Sequence, residues 1–203
     1  GYSFADKYFV TLSSRLDAAS VFGASVNSTV NSAIGGGWVL SKESFFPKWK
    51  AITSARIRAS YGTTGNSRIG SYEARGLYTF NNEGYNGNAS SALRSAPNPN
   101  LGWERSYKTN LGLDITLAKR FTITLDVYQN IVDDAISSIN VPAENGFTSV
   151  LANIAKMRNR GWDAAINAQI LTGAFTWNST LNVGNNRSTI LSVKNDFQRY
   201  SST

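Results

Sequence analysis

Alternation constrains this chain more than any other feature. Leu111, Leu113, Ile115 and Leu117 interleave with Asn110, Gly112, Asp114 and Thr116. Phe121, Ile123, Leu125 and Val127 interleave with Thr122, Thr124, Asp126 and Tyr128. Two later stretches repeat the pattern. Trp162, Ala164, Ile166, Ala168 and Ile170 oppose Asp163, Ala165, Asn167 and Gln169; Phe175, Trp177, Leu181 and Val183 oppose Thr176, Asn178, Thr180, Asn182 and Gly184. Successive side chains of a strand point to opposite faces, so each stretch predicts a strand with one apolar and one polar face. Helical periodicity is almost missing.

Earlier strands read less cleanly. Tyr8, Val10, Leu12 and Leu16 oppose Ser13, Arg15 and Asp17; Ile57, Ala59 and Tyr61 oppose Arg56, Arg58 and Ser60. A further strand over 33–40 contains Gly35-Gly36-Gly37, which permits a bend or a close approach. The expectation is about seven strands. Their connections alternate in length. Lys119-Arg120 and Leu171-Thr172-Gly173 read as tight turns, and 42–53 as a moderate connection with one helical turn near Glu43–Phe46. Residues 17–32, 63–103 and 130–158 read as long loops.

Composition removes much chemistry. The 203 residues contain no Cys and no His, which excludes disulfides, thiol nucleophiles, imidazole bases and ordinary zinc sites. The net charge is +7, but the cations are scattered: Lys7, Arg15, Lys42, Lys48, Arg56, Arg68, Arg94, Lys119, Arg158 and Arg199 form no block. No nucleic-acid partner is expected. No apolar run reaches the ~20 residues of a transmembrane helix, whereas barrel strands need only about 9–11 alternating residues.

A soluble sandwich or barrel shares the two-faced strand. Three features favour a membrane barrel. The polar phase holds Arg56, Arg58, Asp114, Asp126 and Asp163, as a wet lumen would. Trp103, Tyr107, Tyr61 and Trp162 fall toward the long-loop ends, and Tyr8, Phe121, Phe175 and Trp177 toward the short-turn ends, as two interfacial girdles. Trp162, after Gly161, then marks re-entry of a strand at the headgroups. A connection spanning 63–103 is unusual in a compact soluble domain.

Candidate sites are sparse. Gly62-Thr63-Thr64-Gly65-Asn66 lacks the Lys-Ser/Thr of a phosphate loop and reads as the start of a loop. Asp133-Asp134 read as loop carboxylates, with calcium as the alternative. Glu83 and Glu144 are lone carboxylates, not the facing pair a glycosidase needs. Tyr72, Tyr78, Phe80 and Tyr85 lie among Asn81, Asn82, Asn86 and Asn88, a composition suited to sugars or peptides, or to a patch packed against neighbouring loops. No catalytic, cofactor-binding or metal-ligating residues are assigned, and no enzyme activity is expected.

Several stretches together resemble the C-terminal half of the barrel in SusC/RagA-type TonB-linked outer-membrane transporters of Bacteroidetes. They are Asp6-Lys7-Tyr8-Phe9-Val10-Thr11-Leu12 with Arg15-Leu16-Asp17; Gly37-Trp38-Val39-Leu40-Ser41-Lys42-Glu43-Ser44-Phe45; and Ala55-Arg56-Ile57-Arg58-Ala59-Ser60-Tyr61-Gly62-Thr63-Thr64-Gly65-Asn66. They continue with Asn98-Pro99-Asn100-Leu101-Gly102-Trp103-Glu104; Leu111-Gly112-Leu113-Asp114; Asp126-Val127-Tyr128-Gln129; Gly146-Phe147-Thr148; Asn153-Ile154; and Asn159-Arg160-Gly161-Trp162. The resemblance implies an all-β, antiparallel up-and-down transmembrane barrel of about 22 strands, of which residues 1–203 are part. It implies a plug domain and closing strands outside this segment, both of whose ends read as cut. It further implies oligosaccharide or peptide import across the outer membrane, with a SusD-like lipoprotein and TonB–ExbB–ExbD as partners. A passive porin and a soluble secreted carbohydrate-binding β-sandwich are the alternatives.

Overall fold

The computed structural model describes residues 1–22, 28–47, 49, 51–67, 69–81, 84–142, 144, 146–147 and 149–194. Its strands are β1 (Tyr2–Phe4), β2 (Tyr8–Ala18), β3 (Ser28–Val39), β4 (Ile52–Asn66), β5 (Leu77–Asn81), β6 (Ser90–Ser95), β7 (Glu104–Leu117), β8 (Phe121–Asn140), β9 (Ser149–Leu171) and β10 (Trp177–Val193). Eight form one open sheet in the order β1-β2-β3-β4-β7-β8-β9-β10, antiparallel throughout. β5 and β6 pair as a separate hairpin inside the connection from β4 to β7.

Register sorts the side chains into two faces. Tyr8, Trp38, Ile57, Leu113, Leu125, Ala164 and Val183 are successive cross-strand partners in one row. The adjoining row, on the opposite face, runs Phe9, Gly37, Arg58, Gly112, Asp126, Asp163 and Gly184. On the apolar face Leu12 is 69% exposed, Leu111 56% and Val127 60%. Leaving such a side chain half in water forgoes about 1 kcal/mol. Repeated on every strand, the loss rivals the ~5–15 kcal/mol net stability of a whole domain. This face therefore needs an apolar covering, and a soluble sandwich would have turned it inward.

The apolar belt also slides along the strands. The row through Leu12, mid-belt on β2, reaches Arg187 on β10, whereas the apolar stretch of β10, Trp177–Val183, is centred seven residues earlier, at Thr180. Seven residues at ~3.4 Å, across six interstrand steps of ~4.8 Å, correspond to a tilt of roughly 40°, within the range of transmembrane barrels.

The expected alternation in length holds only in part, because 40–51 is longer than 19–27 and 141–148. At one end lie 5–7, 40–51, 118–120 and 172–176; at the other lie 19–27, 67–103 and 141–148. The two shortest are I′-type turns. Phe4 O accepts from Lys7 N (3.0 Å) and Leu117 O from Arg120 N (2.9 Å), and both central residues have positive φ: Ala5 and Asp6, then Ala118 and Lys119. That turn matches the right-handed twist of its flanking strands.

Several boundaries differ from expectation. Residues 130–158 are mostly strand. A bulge at Asp133–Asp134, with Asp134 at φ 54°, shifts the register and breaks the alternation that marks a strand. Gly62–Asn66 continues β4 rather than starting a loop. A Cβ on Gly62 would meet Ala33 Cβ at 2.9 Å, and one on Gly65 would meet Thr29 Cγ2 at 2.7 Å, so glycine serves close approach here. The helical turn falls at Leu40–Lys42, before Glu43. β10 begins at Trp177, leaving Phe175 in a five-residue connection rather than a tight turn.

At the short-turn end, Phe4, Tyr8, Trp38 and Phe45 form a chain of ring contacts with centroids 6.4, 6.3 and 6.0 Å apart. Glu43 ties it together, accepting from Tyr8 Oη (2.6 Å), Trp38 Nε1 (3.1 Å) and Lys7 Nζ (3.1 Å). These donors, the Tyr8 hydroxyl foremost, hold the Glu43 carboxyl below the ordinary carboxylate range. Because the folded value is depressed, the contribution is full above the unfolded carboxyl's value of about 4.3 and is lost as pH falls through the lower folded value. Acid titration of the full-length protein in detergent should therefore change Trp38 emission only below pH ~4.3, and Glu43→Gln should abolish the transition. A transition centred above that value contradicts the assignment.

Candidate functional site

The polar face brings together Arg56, Arg58, Asp114, Asp126 and Asp163, the residues singled out from sequence. Arg58 on β4 donates from Nε (2.7 Å) and Nη2 (3.1 Å) to Asp114 on β7, and from Nη2 to both oxygens of Asp126 on β8 (3.2 and 3.1 Å). The guanidinium thus spans three strands. It can do so because Gly112 lies beneath it: a Cβ there would come within 2.7 Å of Arg58 Nη2 and of Asp126 Oδ1. Asp163 is the direct cross-strand partner of Asp126. Arg56 covers the ring of Phe9 at 5.6 Å. Half-exposed ion pairs of this kind add little stability. What they do is fix two carboxylates around one guanidinium on a wall that Arg56 and Asp163 extend.

Beyond the long-loop end, the 67–103 connection folds onto the extended β8–β9 hairpin. Phe22, Ala74, Leu101 and Trp103 make one small core there, and Ala96, Ile139, Val150 and Ala152 another. The Asn98–Glu104 segment is the clasp. Asn98 Nδ2 donates to Leu151 O (2.8 Å), and the Asn98 side-chain oxygen accepts from Asn100 N (3.1 Å). Asn153 accepts from Gly102 N (2.8 Å) and donates to Gly102 O (2.9 Å) and Asp134 O (2.8 Å). Glu104 accepts from Asn66 Nδ2 (3.1 Å) and from Ile136 N beside the bulge (3.3 Å). In the sequence Asn98–Glu104 and Asn153 stand out only as stretches of the family resemblance; the separation of Asn98 from Leu151 and of Gly102 from Asn153, 53 and 51 positions, hides the contact.

Trp103 departs from expectation. It is only 9% exposed and packs on Phe22 with ring centroids 4.9 Å apart, so it belongs to the loop core and not to the aromatic girdle. Tyr61 and Trp162 do lie exposed on the apolar face. Trp162 sits within the continuous strand β9, with Val127 and Asn185 as its cross-strand partners. The carboxylates Asp133 and Asp134 lie at the strand bulge rather than in a loop, held by Lys156 (3.1 Å) and Lys194 (2.6 Å). Glu83 and Asn82 lie outside the described residues. Tyr78 and Phe80 share one face of the β5–β6 hairpin, and Tyr85 sits at its tip. Phe80 is 79% exposed and Tyr85 95%, so among the described residues these rings have no loop packed over them. Tyr72 is also exposed and meets the Arg75 guanidinium at 5.8 Å.

The clasp has a direct test. Asn153→Ala strands the N–H and C=O of Gly102, a change that costs about 1–3 kcal/mol for buried groups. Hydrogen exchange in 98–104 should accelerate at least tenfold while exchange in β7 stays slow. Unchanged exchange in 98–104 counts against the clasp.

Comparison with known proteins fits this architecture. The family model described as "TonB dependent receptor-like, beta-barrel" matches residues 1–201. TonB-dependent receptor P39 of Formosa agariphila is 36% identical over 200 residues, covering 97% of this chain and 19% of the relative. TonB-dependent receptor SusC of Bacteroides thetaiotaomicron is 30% identical over 191 residues, covering 90% and 19%. The RagAB peptide importer in its closed-closed state superposes with a TM-score of 0.85 at 28% identity, over 96% of this chain and 22% of that one. The chain thus spans about a fifth of the length of these relatives. This family consists of receptors and transporters rather than enzymes. An open, tilted, two-faced sheet with a charged wall and a folded loop platform is what one sector of such a protein requires, and the chain belongs to the TonB-dependent receptor β-barrel family.

Proposed function

We propose that residues 1–203 form one sector of the barrel domain of an outer-membrane importer for oligosaccharides or peptides. The observation that carries this reading is the division of the sheet. One face is an apolar belt tilted as in a membrane barrel, the other is a charged wall, and a platform stands beyond the long-loop end alone. The wall faces the lumen and a plug domain contributed by the rest of the polypeptide, within a barrel of about 22 strands. The platform faces outward, and its exposed aromatics and amides, Tyr78, Phe80, Tyr85, Asn81 and Asn86, offer stacking and hydrogen bonding to a glycan or a peptide. Kinship with RagAB and SusC supports a SusD-like lipoprotein as partner and TonB–ExbB–ExbD as the energy source. Nothing in the wall performs bond chemistry; its work is binding and gated passage.

Deleting the full-length gene in its host should abolish growth on one class of oligosaccharide or peptide while sparing growth on the monomers. Affinity purification of the tagged transporter from outer membranes should bring down a lipoprotein. Undiminished growth on every such polymer, with no lipoprotein recovered, overturns the reading.

A further inference from the structure

Most of the ion pairs in this chain are conventional. Arg58 meets two aspartates, Arg15 meets Asp17, Lys7 meets Glu43, and Lys156 and Lys194 meet Asp133 and Asp134. Four arginines at one level of the apolar face are different. From its turn outward, the apolar phase of β9 reads Ile170, Ala168, Ile166, Ala164 and Trp162, and then Arg160, Arg158 and Lys156. Arg187 on β10 is the direct cross-strand partner of Arg160. On β7 the same order recurs, Leu111, Thr109 and Tyr107 being followed by Arg105. None of Arg105, Arg158, Arg160 and Arg187 makes an ion pair with a carboxylate among the described residues. Asp133 is the carboxylate at this level, and it is taken by Lys156.

Two further observations point to an anionic partner. Like charges placed directly opposite on adjacent strands repel, so the Arg160–Arg187 pair is unfavourable unless something negative lies between them. Arg158 Nε is buried and finds no acceptor. Arg160 lies two residues beyond Trp162, which is about 7 Å along the strand and about 5 Å in depth at the tilt given above. Trp marks the headgroup boundary, so the guanidinium groups sit where headgroup phosphates lie. Arginine binds phosphate in a bidentate, charge-assisted manner.

We propose that Arg158, Arg160 and Arg187, with Arg105 beside them, form a binding site for the phosphate groups of outer-leaflet glycolipid. The inference rests on the outer-membrane reading above, because that leaflet is the one next to the long loops. The glycolipid's acyl chains lie along Val127, Ala164 and Val183, and its phosphate bridges Arg160 and Arg187. Continuity with the apolar belt favours a lipid over a free anion, since the site opens sideways onto hydrocarbon.

The test uses the full-length transporter, purified in mild detergent, delipidated, and offered purified lipid A or the same lipid after phosphatase treatment. Native mass spectrometry should find lipid A retained and the dephosphorylated form lost. Arg160→Gln with Arg187→Gln should reduce lipid A retention at least tenfold, while Arg160→Lys with Arg187→Lys should restore most of it. Heat-modifiable migration and surface cleavage of a protease site inserted at 84–88 verify that each variant is folded with its long loops outside. Failure of the wild type in that cleavage assay sinks the outer-membrane orientation, not the phosphate site alone. With orientation intact, equal retention by the Gln variant, or equal retention of dephosphorylated lipid, overturns the proposal. Arginine-dependent binding of inorganic phosphate that displaces lipid A at equal concentration overturns the lipid as the ligand.

Discussion

Backbone amides inside hydrocarbon have no water to turn to, and each one left unpaired there costs several kcal/mol. The continuous ladder from β1 to β10 is the answer to that constraint, and the rest of the molecule depends on it. With the ladder fixed, side chains have only two directions, so every strand contributes one residue to the lipid face for each residue it contributes to the lumen. The tilt follows from the same ladder. It lets the belt stay level in the membrane while descending along the strands, from Tyr8–Leu16 on β2 to Trp177–Val183 on β10. Open edges at β1 and β10 are what a sector of a larger closed sheet presents.

The two ends of the sheet solve different problems. At the short-turn end, Glu43 gathers three donors and locks the rings of Tyr8 and Trp38 at the membrane boundary. At the other end, β8 and β9 outrun the membrane and carry their own small cores, to which the long connection is clasped through Asn98, Asn153 and Glu104. A loop of such length is held without disulfides because amide side chains replace the missing backbone partners. The bulge at Asp133–Asp134 separates the two regimes, turning a membrane strand into a platform strand.

Where period two was unbroken, the sequence was enough. Leu111–Leu117 and Phe121–Val127 were read with their correct faces, and so was the charged phase from Arg56 to Asp163. The extension of β8 to Asn140 was illegible because the bulge flips the phase. The end of β4 is hidden because glycines required for close strand approach look like loop glycines. Trp103 continues the apolar phase of β7, and only its contact with Phe22 shows that it turns into the loop core. Contacts set by register between distant strands, such as Arg58 with Asp126 or Arg160 with Arg187, carry no local signal; the arginines read as scattered until the strands were paired.

The central claim is that odd-numbered residues of β7 meet lipid and even-numbered ones meet a wet lumen. This segment has no cysteine, so single cysteines at 109–111, 113, 115 and 116, which spare Gly112 and Asp114 of the ion-pair network, can carry nitroxide labels in the full-length, bilayer-reconstituted protein. Oxygen accessibility should peak at Leu111, Leu113 and Ile115, and accessibility to a polar nickel chelate at Asn110 and Thr116. The opposite phase, or uniform exposure to the chelate, would mean that the apolar face closes on protein and that the sheet is not a membrane wall.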